Sequence, residues 1–112
     1  MAEREVRIAR TEALFRDVNE RIAETAQRFN APAMEFVCEC SDSACVERVP
    51  ATLDEYEEVR TDGTHFMLVP GHEDTRFERV LKRPHPRLTI VAKFNERVAS
   101  TVRRLDPRGQ HA

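Results

Sequence analysis

All three cysteines of the chain fall within eight positions, inside EFVCECSDSACVERV, residues 35–49. Their spacing is Cys38-x-Cys40-x4-Cys45. In extended backbone, positions i and i+2 point to the same side, so Cys38 and Cys40 offer two sulfurs to one point while Glu39 points away. The intervening SDSA is turn-forming, with Ser and Asp side chains that bond back to the backbone, and it swings Cys45 round to the same point. Tetrahedral zinc, with Zn–S bonds of about 2.3 Å, needs its sulfurs only ~4 Å apart. An odd number of close thiols favours a metal over a disulfide. A core has no need of alternate thiols around a polar turn, and an iron–sulfur cluster normally takes four cysteines. The expected cofactor is therefore Zn2+.

Three local sulfurs leave a fourth position to a distant residue. His72 follows a Pro-Gly turn at the end of a predicted strand, where a ring can be presented at a fixed angle, and it is the first choice. The competing reading is a surface histidine that bonds the turn backbone. His65, at a strand start, is second. His85 sits between prolines at a hairpin tip and His111 in the tail, both places for solvated rings. Glu73 is the candidate acceptor that would orient the His72 ring, or else a solvated loop acid. Structural zinc sites contribute apparent binding free energies of about 10–16 kcal/mol. A domain of this size needs only about 5–15 kcal/mol of net stability. Such a site can decide whether the middle of the chain folds.

Around this site the pattern predicts an α+β domain. The long N-terminal helix, residues 3–29, carries Ile8, Phe15, Ile22 and Phe29 at heptad spacing, with Thr11, Val18 and Thr25 between them and Leu14 and Ala26 widening the stripe. This stripe is expected to pack on the protein's own sheet. A second copy on the same stripe would give a homodimer through residues 3–29, although threonines at alternate positions make a weak seam. Asn30 and the Ala-Pro after it end the helix. Short strands are expected at Met34–Cys38 and Val46–Val49. TLDE, residues 52–55, is a capping box that opens a short helix, with Gly63 as its stop. His65–Val69 reads as a strand, and Pro70 and Gly71 as the centre of a type II turn. FERVLKR and LTIVAKF, flanking PHP, read as a hairpin. Asn95 caps a last helix with Val98, Val102 and Leu105 on one side, and Pro107 stops it. The expected architecture is a long N-terminal helix, a small antiparallel sheet, a zinc knuckle and a short C-terminal helix. All 112 residues suit one domain, with the tail from 107 to 112 disordered.

Composition sets bounds on function. The chain is 34% charged, with no apolar run of the roughly 18 residues a membrane span requires and no signal-peptide core in MAEREVRIAR. A cytoplasmic location follows by default, with no membrane partner. The net charge of −2 hides an asymmetry: residues 35–62 hold nine acids and two bases, residues 76–108 ten bases and three acids. The expectation is a molecule with an acidic end and a basic end.

The cysteine spacing resembles the post-SET zinc motif of histone methyltransferases, in which three local cysteines take a fourth ligand from elsewhere. The likeness covers eight positions and implies a ligand geometry, with no methyltransferase activity. Over residues 11–108, EALFRDVNERIAETAQRF, EFVCECSDSACVERV, TLDEYEEVR, FMLVPGHED, FERVLKR and LDPR together resemble a set of small actinobacterial proteins. That likeness implies that the cysteines and the PGHE loop form one site. It implies no activity. The hairpin turn RPHPR departs from the glycine-containing turn expected there.

Three functions fit. The first is a non-catalytic regulatory or adaptor module, its zinc fixing the acidic end while Arg76, Arg79, Lys82, Arg83, Arg87, Arg97, Arg103 and Arg104 meet an acidic partner. That partner is a protein; nucleic acid fits less well, because aromatic residues are few and the net charge is negative. The same bases equally suit a solvated face. The second is a thiol switch, in which oxidation of the zinc thiolates frees the metal. The third is a zinc hydrolase with Glu73 as base. A thiolate-rich site acidifies water poorly, and no phosphate loop, nucleophile elbow or HExxH accompanies it. No catalytic residue is therefore assigned.

Overall fold

The computed structural model describes residues 2–108. Eight elements follow one another: α1 (Ala2–Arg28), β1 (Ala33–Val37), β2 (Arg48–Thr52), α2 (Leu53–Val59), β3 (His65–Leu68), β4 (Glu78–His85), β5 (Leu88–Lys93) and α3 (Glu96–Arg104). The α+β class is as expected. The strands divide into two antiparallel sheets, the pair β1–β2 and a triplet in the order β3–β5–β4.

The local signals act where the residues put them. Asn30 takes a left-handed φ of 55°, and the Ala31 N–H returns to the Ala26 carbonyl at 2.8 Å, which closes α1 in a Schellman arrangement. At α2 the Thr52 hydroxyl accepts the Glu55 N–H at 3.0 Å, while the Glu55 carboxylate accepts the Thr52 N–H at 2.8 Å. Asn95 caps α3 by accepting the Val98 N–H at 3.1 Å. Gly63 does not stop α2. That helix ends at Arg60 in ordinary right-handed backbone, and Gly63 is required for a different reason. A Cβ there would stand 2.9 Å from an Asp106 carboxylate oxygen.

The face of α1 differs from the expectation. Its buried side is formed by Ala9, Glu12, Ala13, Arg16, Asn19, Ala23 and Ala26, while Ile8, Phe15 and Ile22 are half-buried and Leu14, Val18 and Phe29 are exposed. The helix is turned by roughly one residue, about 100°, from the face its apolar stripe implies. Polar partners supplied from far along the chain account for the turn. The Lys93 ammonium, fully buried, pairs with Glu12 at 2.6 Å and with Glu78. Arg16 donates to the Gly63 carbonyl at 2.8 Å and to the His65 carbonyl, and its guanidinium lies 3.6 Å over the Phe66 ring. Leaving these groups unpaired in the interior would cost more than exposing a leucine and a phenylalanine.

The apolar core lies between the sheets and helices. Phe36 of β1 stacks on Tyr56 of α2 at 4.7 Å, with Val49, Phe66, Leu68, Leu88, Val91 and Val98 around them. Arg60 bonds Asp106 through two guanidinium nitrogens and Glu20 through a third, tying α1, α2 and the end of α3 together. Part of the tail expected to be disordered is anchored by Arg108, which pairs with Glu20 at 2.8 Å and Glu57 at 2.9 Å. Residues 109–112, including His111, lie outside the described residues.

The expected separation into an acidic and a basic end gives way to pairing between them. Lys82 of β4 meets Glu58 of α2 at 2.6 Å, Arg108 meets Glu57, and Arg60 meets Asp106. Opposite charges far apart in sequence are side by side in space, where they neutralise each other. Among the described residues, no helix is long and apolar enough to cross a membrane.

Candidate metal centre

Chain geometry at the cysteines comes from a crossing between the two sheets. The Cys38 N–H bonds the Glu47 carbonyl at 3.1 Å and so prolongs the β1–β2 ladder by one step. One residue later the Glu39 N–H bonds the Met67 carbonyl at 2.9 Å, at the edge of β3. The strand thus passes from one sheet to the other within the Cys-x-Cys unit. Glu39 points away from the sulfurs, as the alternation requires, and is completely buried. Its carboxylate accepts the Met67 N–H at 3.0 Å and the Asn19 amide at 2.8 Å. Burial pushes the Glu39 carboxyl above its ordinary range, and the charge of Arg16 opposes that shift. Asn19 also pairs with both backbone groups of Val37, at 2.8 and 2.9 Å. The middle of α1 therefore grips the strand just before the first cysteine.

The return turn follows its sequence. Asp42 accepts the Ala44 N–H on its carboxylate at 2.9 Å and the Cys45 N–H on its carbonyl at 3.0 Å. On the opposite side the His72 N–H bonds the Val69 carbonyl at 3.0 Å across Pro70 and Gly71, and Gly71 sits at φ 96°, the left-handed position of a type II turn. That turn aims the His72 ring at the cysteines.

The four side chains expected to bind metal do converge. One ligand atom each from Cys38, Cys40, Cys45 and His72 can be chosen so that all four lie within 4.8 Å of one another, an arrangement that can hold a metal ion. His72 Nδ1 lies 3.5 Å from the Cys38 sulfur and 3.7 Å from the Cys45 sulfur. Tetrahedral coordination with ordinary sulfur and imidazole bond lengths sets such edges at about 3.5–3.8 Å. Cys38 and Cys40 are buried, while Cys45 and His72 form the half-open side. The Val69 N–H points at the Cys38 sulfur at 3.2 Å, a donor that stabilises a thiolate. Within the trio, the neighbouring Cys38 thiol holds the Cys40 thiol below its ordinary value, while Cys40 and burial push the Cys38 thiol up. Crowded sulfurs that cannot all carry protons or all carry charge are what a divalent cation relieves.

The other histidines are elsewhere. His65, the second choice for fourth ligand, has its Nε2 3.5 Å from Asp62, and His85 has its Nε2 3.9 Å from Glu55. Glu73 is not the acceptor for the His72 ring. It accepts the Gly71 N–H at 3.0 Å and faces Arg83 at 3.4 Å, so it stabilises its own turn. Glu47 takes that position instead, with a carboxylate oxygen 3.6 Å from His72 Nε2. Glu47 lies two residues beyond Cys45, and an acid so near the ligand run was the available sign. Nothing in the sequence marked Asn19 or the Val69 N–H.

No protein-family model matches the chain, and no curated protein or solved structure matches it. These comparisons lend no support to the likeness to small actinobacterial proteins.

Proposed function

We propose that the chain is a non-catalytic module organised by one zinc ion and built to dock an acidic protein partner. The observation that carries this reading is the convergence of Cys38, Cys40, Cys45 and His72 at metal-ligand spacing. Zinc suits a donor set of three thiolates and one imidazole, and four protein ligands complete its tetrahedron. Such a closed shell gives a structural role: the ion pins the crossing between the sheets to the turn after β3. Hydrolysis is disfavoured because thiolates make the metal a poor acid and because Glu73 is tied to Gly71 and Arg83. The docking role rests on the basic residues of the second half. Several are already engaged, Lys82 with Glu58, Arg83 with Glu73 and Arg97 with Glu5, which narrows the surface left for a partner.

Metal analysis of the purified protein tests the zinc. One zinc per chain in the natural sequence and a loss of most of it in His72→Ala are expected. Equal zinc in both, or none in either, would remove the site.

A second reading has one observation of its own. Cys45 is half-exposed while Cys38 and Cys40 are buried, so an oxidant reaches Cys45 first. A peroxide would take two electrons from Cys45 and a neighbouring thiolate and leave as water, with the new disulfide releasing the zinc. Zinc release that follows peroxide and is reversed by a dithiol favours this switch; release only on unfolding argues against it.

A further inference from the structure

Beside the metal centre lies a surface depression of about 370 Å³ whose walls come from three separate parts of the chain. Arg4 and Arg7 project from the start of α1, Arg76 from the loop before β4, and Ser41 and Ser43 from the turn between Cys40 and Cys45. Asp74 also borders it, but its carboxylate is held by the Arg76 side chain at 2.9 and 2.8 Å and by the Arg76 N–H at 3.1 Å. Those bonds hold the planar Arg76 guanidinium through Nε and one terminal nitrogen and leave the other terminal nitrogen outside the pairing. Arg4 and Arg7 are exposed. With three guanidiniums against one carboxylate, the depression carries a local charge of +2 in a chain whose net charge is −2.

Resting on the zinc reading above, we infer that this depression binds a phosphate monoester on a segment of the partner protein. Guanidiniums match the oxygens of a phosphate with paired N–H donors, and serine hydroxyls add donors that turn to suit the remaining oxygens. Phosphoserine or phosphothreonine carries about −1.5 to −2 charges at neutral pH, which balances the +2 of the depression. A carboxylate offers fewer acceptors and one charge. A nucleic-acid backbone would need a track of phosphate sites with bases stacked alongside. Here the basic cluster is compact, and Ile8 and Thr11 complete its lining in place of an aromatic ring. Ile8 and the Thr11 methyl group suit the apolar side chain next to a modified residue.

The placement of the serines links this site to the metal. Ser41 and Ser43 lie between two of the metal-holding cysteines, so an ion that fixes Cys40 and Cys45 fixes the turn that presents both hydroxyls. A phosphorylated partner would then be bound more tightly by the metal-loaded form.

The experiment is a titration of zinc-loaded protein with a fluorescent phosphoserine peptide. Its unphosphorylated and aspartate-substituted versions and a short RNA are run alongside, at two salt concentrations. Binding of the phosphopeptide alone is expected, weakening with salt. Arg7→Ala and Arg76→Ala should each lower affinity about tenfold, consistent with loss of one charge-assisted contact. Protein stripped of zinc should bind several-fold more weakly. Equal binding of the unphosphorylated peptide, tighter binding of RNA, or unchanged affinity in both arginine variants overturns the proposal. Equal binding by stripped and loaded protein overturns the link through the serines. Metal content measured on the same samples separates the two failures. Zinc present with no phosphopeptide bound sinks the phosphate site alone, and arginine-dependent binding by protein that takes up no zinc even when zinc is supplied sinks the metal reading alone.

Discussion

The metal centre and the buried cluster around Lys93 are both polar constructions inside a small domain, yet they are assembled in opposite ways. At the metal centre three of four donors come from eight consecutive residues, and only His72 arrives from a distance. In the Lys93 cluster every partner is distant: Glu12 from α1 lies 81 residues from Lys93 in sequence, and Glu78 from β4 lies 15 away. The first arrangement is half-open and can hold a metal ion. The second is sealed, its charge balanced by protein groups. Local clustering lets a site form early around a small core of donors. Distant pairing makes a cluster that reports on the completed fold and fixes how α1 sits on it.

Removing the metal should produce the larger effect. Chelation is expected to cost about 5 kcal/mol or more, lowering Tm by roughly 20 °C. Amide signals from residues 38–45 and 69–72 should collapse first. An unchanged Tm after verified metal loss would show that the apolar core holds the sheets together unaided. Next comes Lys93→Met, which leaves two buried carboxylates without a cation. Removing one partner of a buried pair costs about 3–5 kcal/mol. The loss should spread over the α1 contacts while the metal content stays at one per chain. If this variant lost metal as readily as it lost stability, the two sites would form one cooperative unit.

The same contrast explains what the sequence let one read. The cysteine geometry, the two helix caps and the turn at Pro70–Gly71 were legible because each depends on residues within a few positions. His72 was legible because that turn leaves few directions for its ring. The buried face of α1 was not. Its heptad of Ile8, Phe15, Ile22 and Phe29 is a genuine apolar pattern, but Glu12 and Arg16 have partners 81 and 47 residues away that periodicity cannot see. The assignment of Glu73 to the His72 ring failed for a related reason. Adjacency in sequence favoured Glu73, whereas a tight turn folds that side chain back onto Gly71 and leaves the ring to Glu47, 25 residues earlier.

The sealed cluster also predicts a dependence on pH. Burial, together with the charge of Glu78 and against that of Lys93, raises the Glu12 carboxyl from its ordinary 4.5 to about 8. A folded-state value above the unfolded one means that the fold prefers the protonated form. That contribution is complete below about pH 4.5 and is lost as pH rises through about 8. Between pH 6 and pH 9 the natural sequence should lose about 2–3 kcal/mol by urea unfolding. Glu12→Gln keeps an acceptor for Lys93 without a titrating proton, so its loss over that interval should be smaller by that amount. Parallel pH profiles for the two proteins would mean that Glu12 is ionised in the fold.

The finest distinction concerns Glu47, which lies at the open side of the metal centre and is well exposed. Its carboxylate faces His72 Nε2, so it favours the tautomer that carries its proton there and leaves Nδ1 free to face the sulfurs. A partner of this kind orients the ring and raises its basicity, and its removal commonly lowers metal affinity by about 10–100-fold. Its exposure puts Glu47→Gln at the lower end, near tenfold in a competition titration against a chelator. The loss should be greatest at low salt, where the carboxylate charge is least screened. Unlike Lys93→Met, this change should leave the unfolding free energy of the metal-saturated protein, measured in urea, within about 0.5 kcal/mol of the natural one. If the affinity were unchanged, the turn at Pro70–Gly71 alone would set the ring, and the centre would need nothing beyond its four donors.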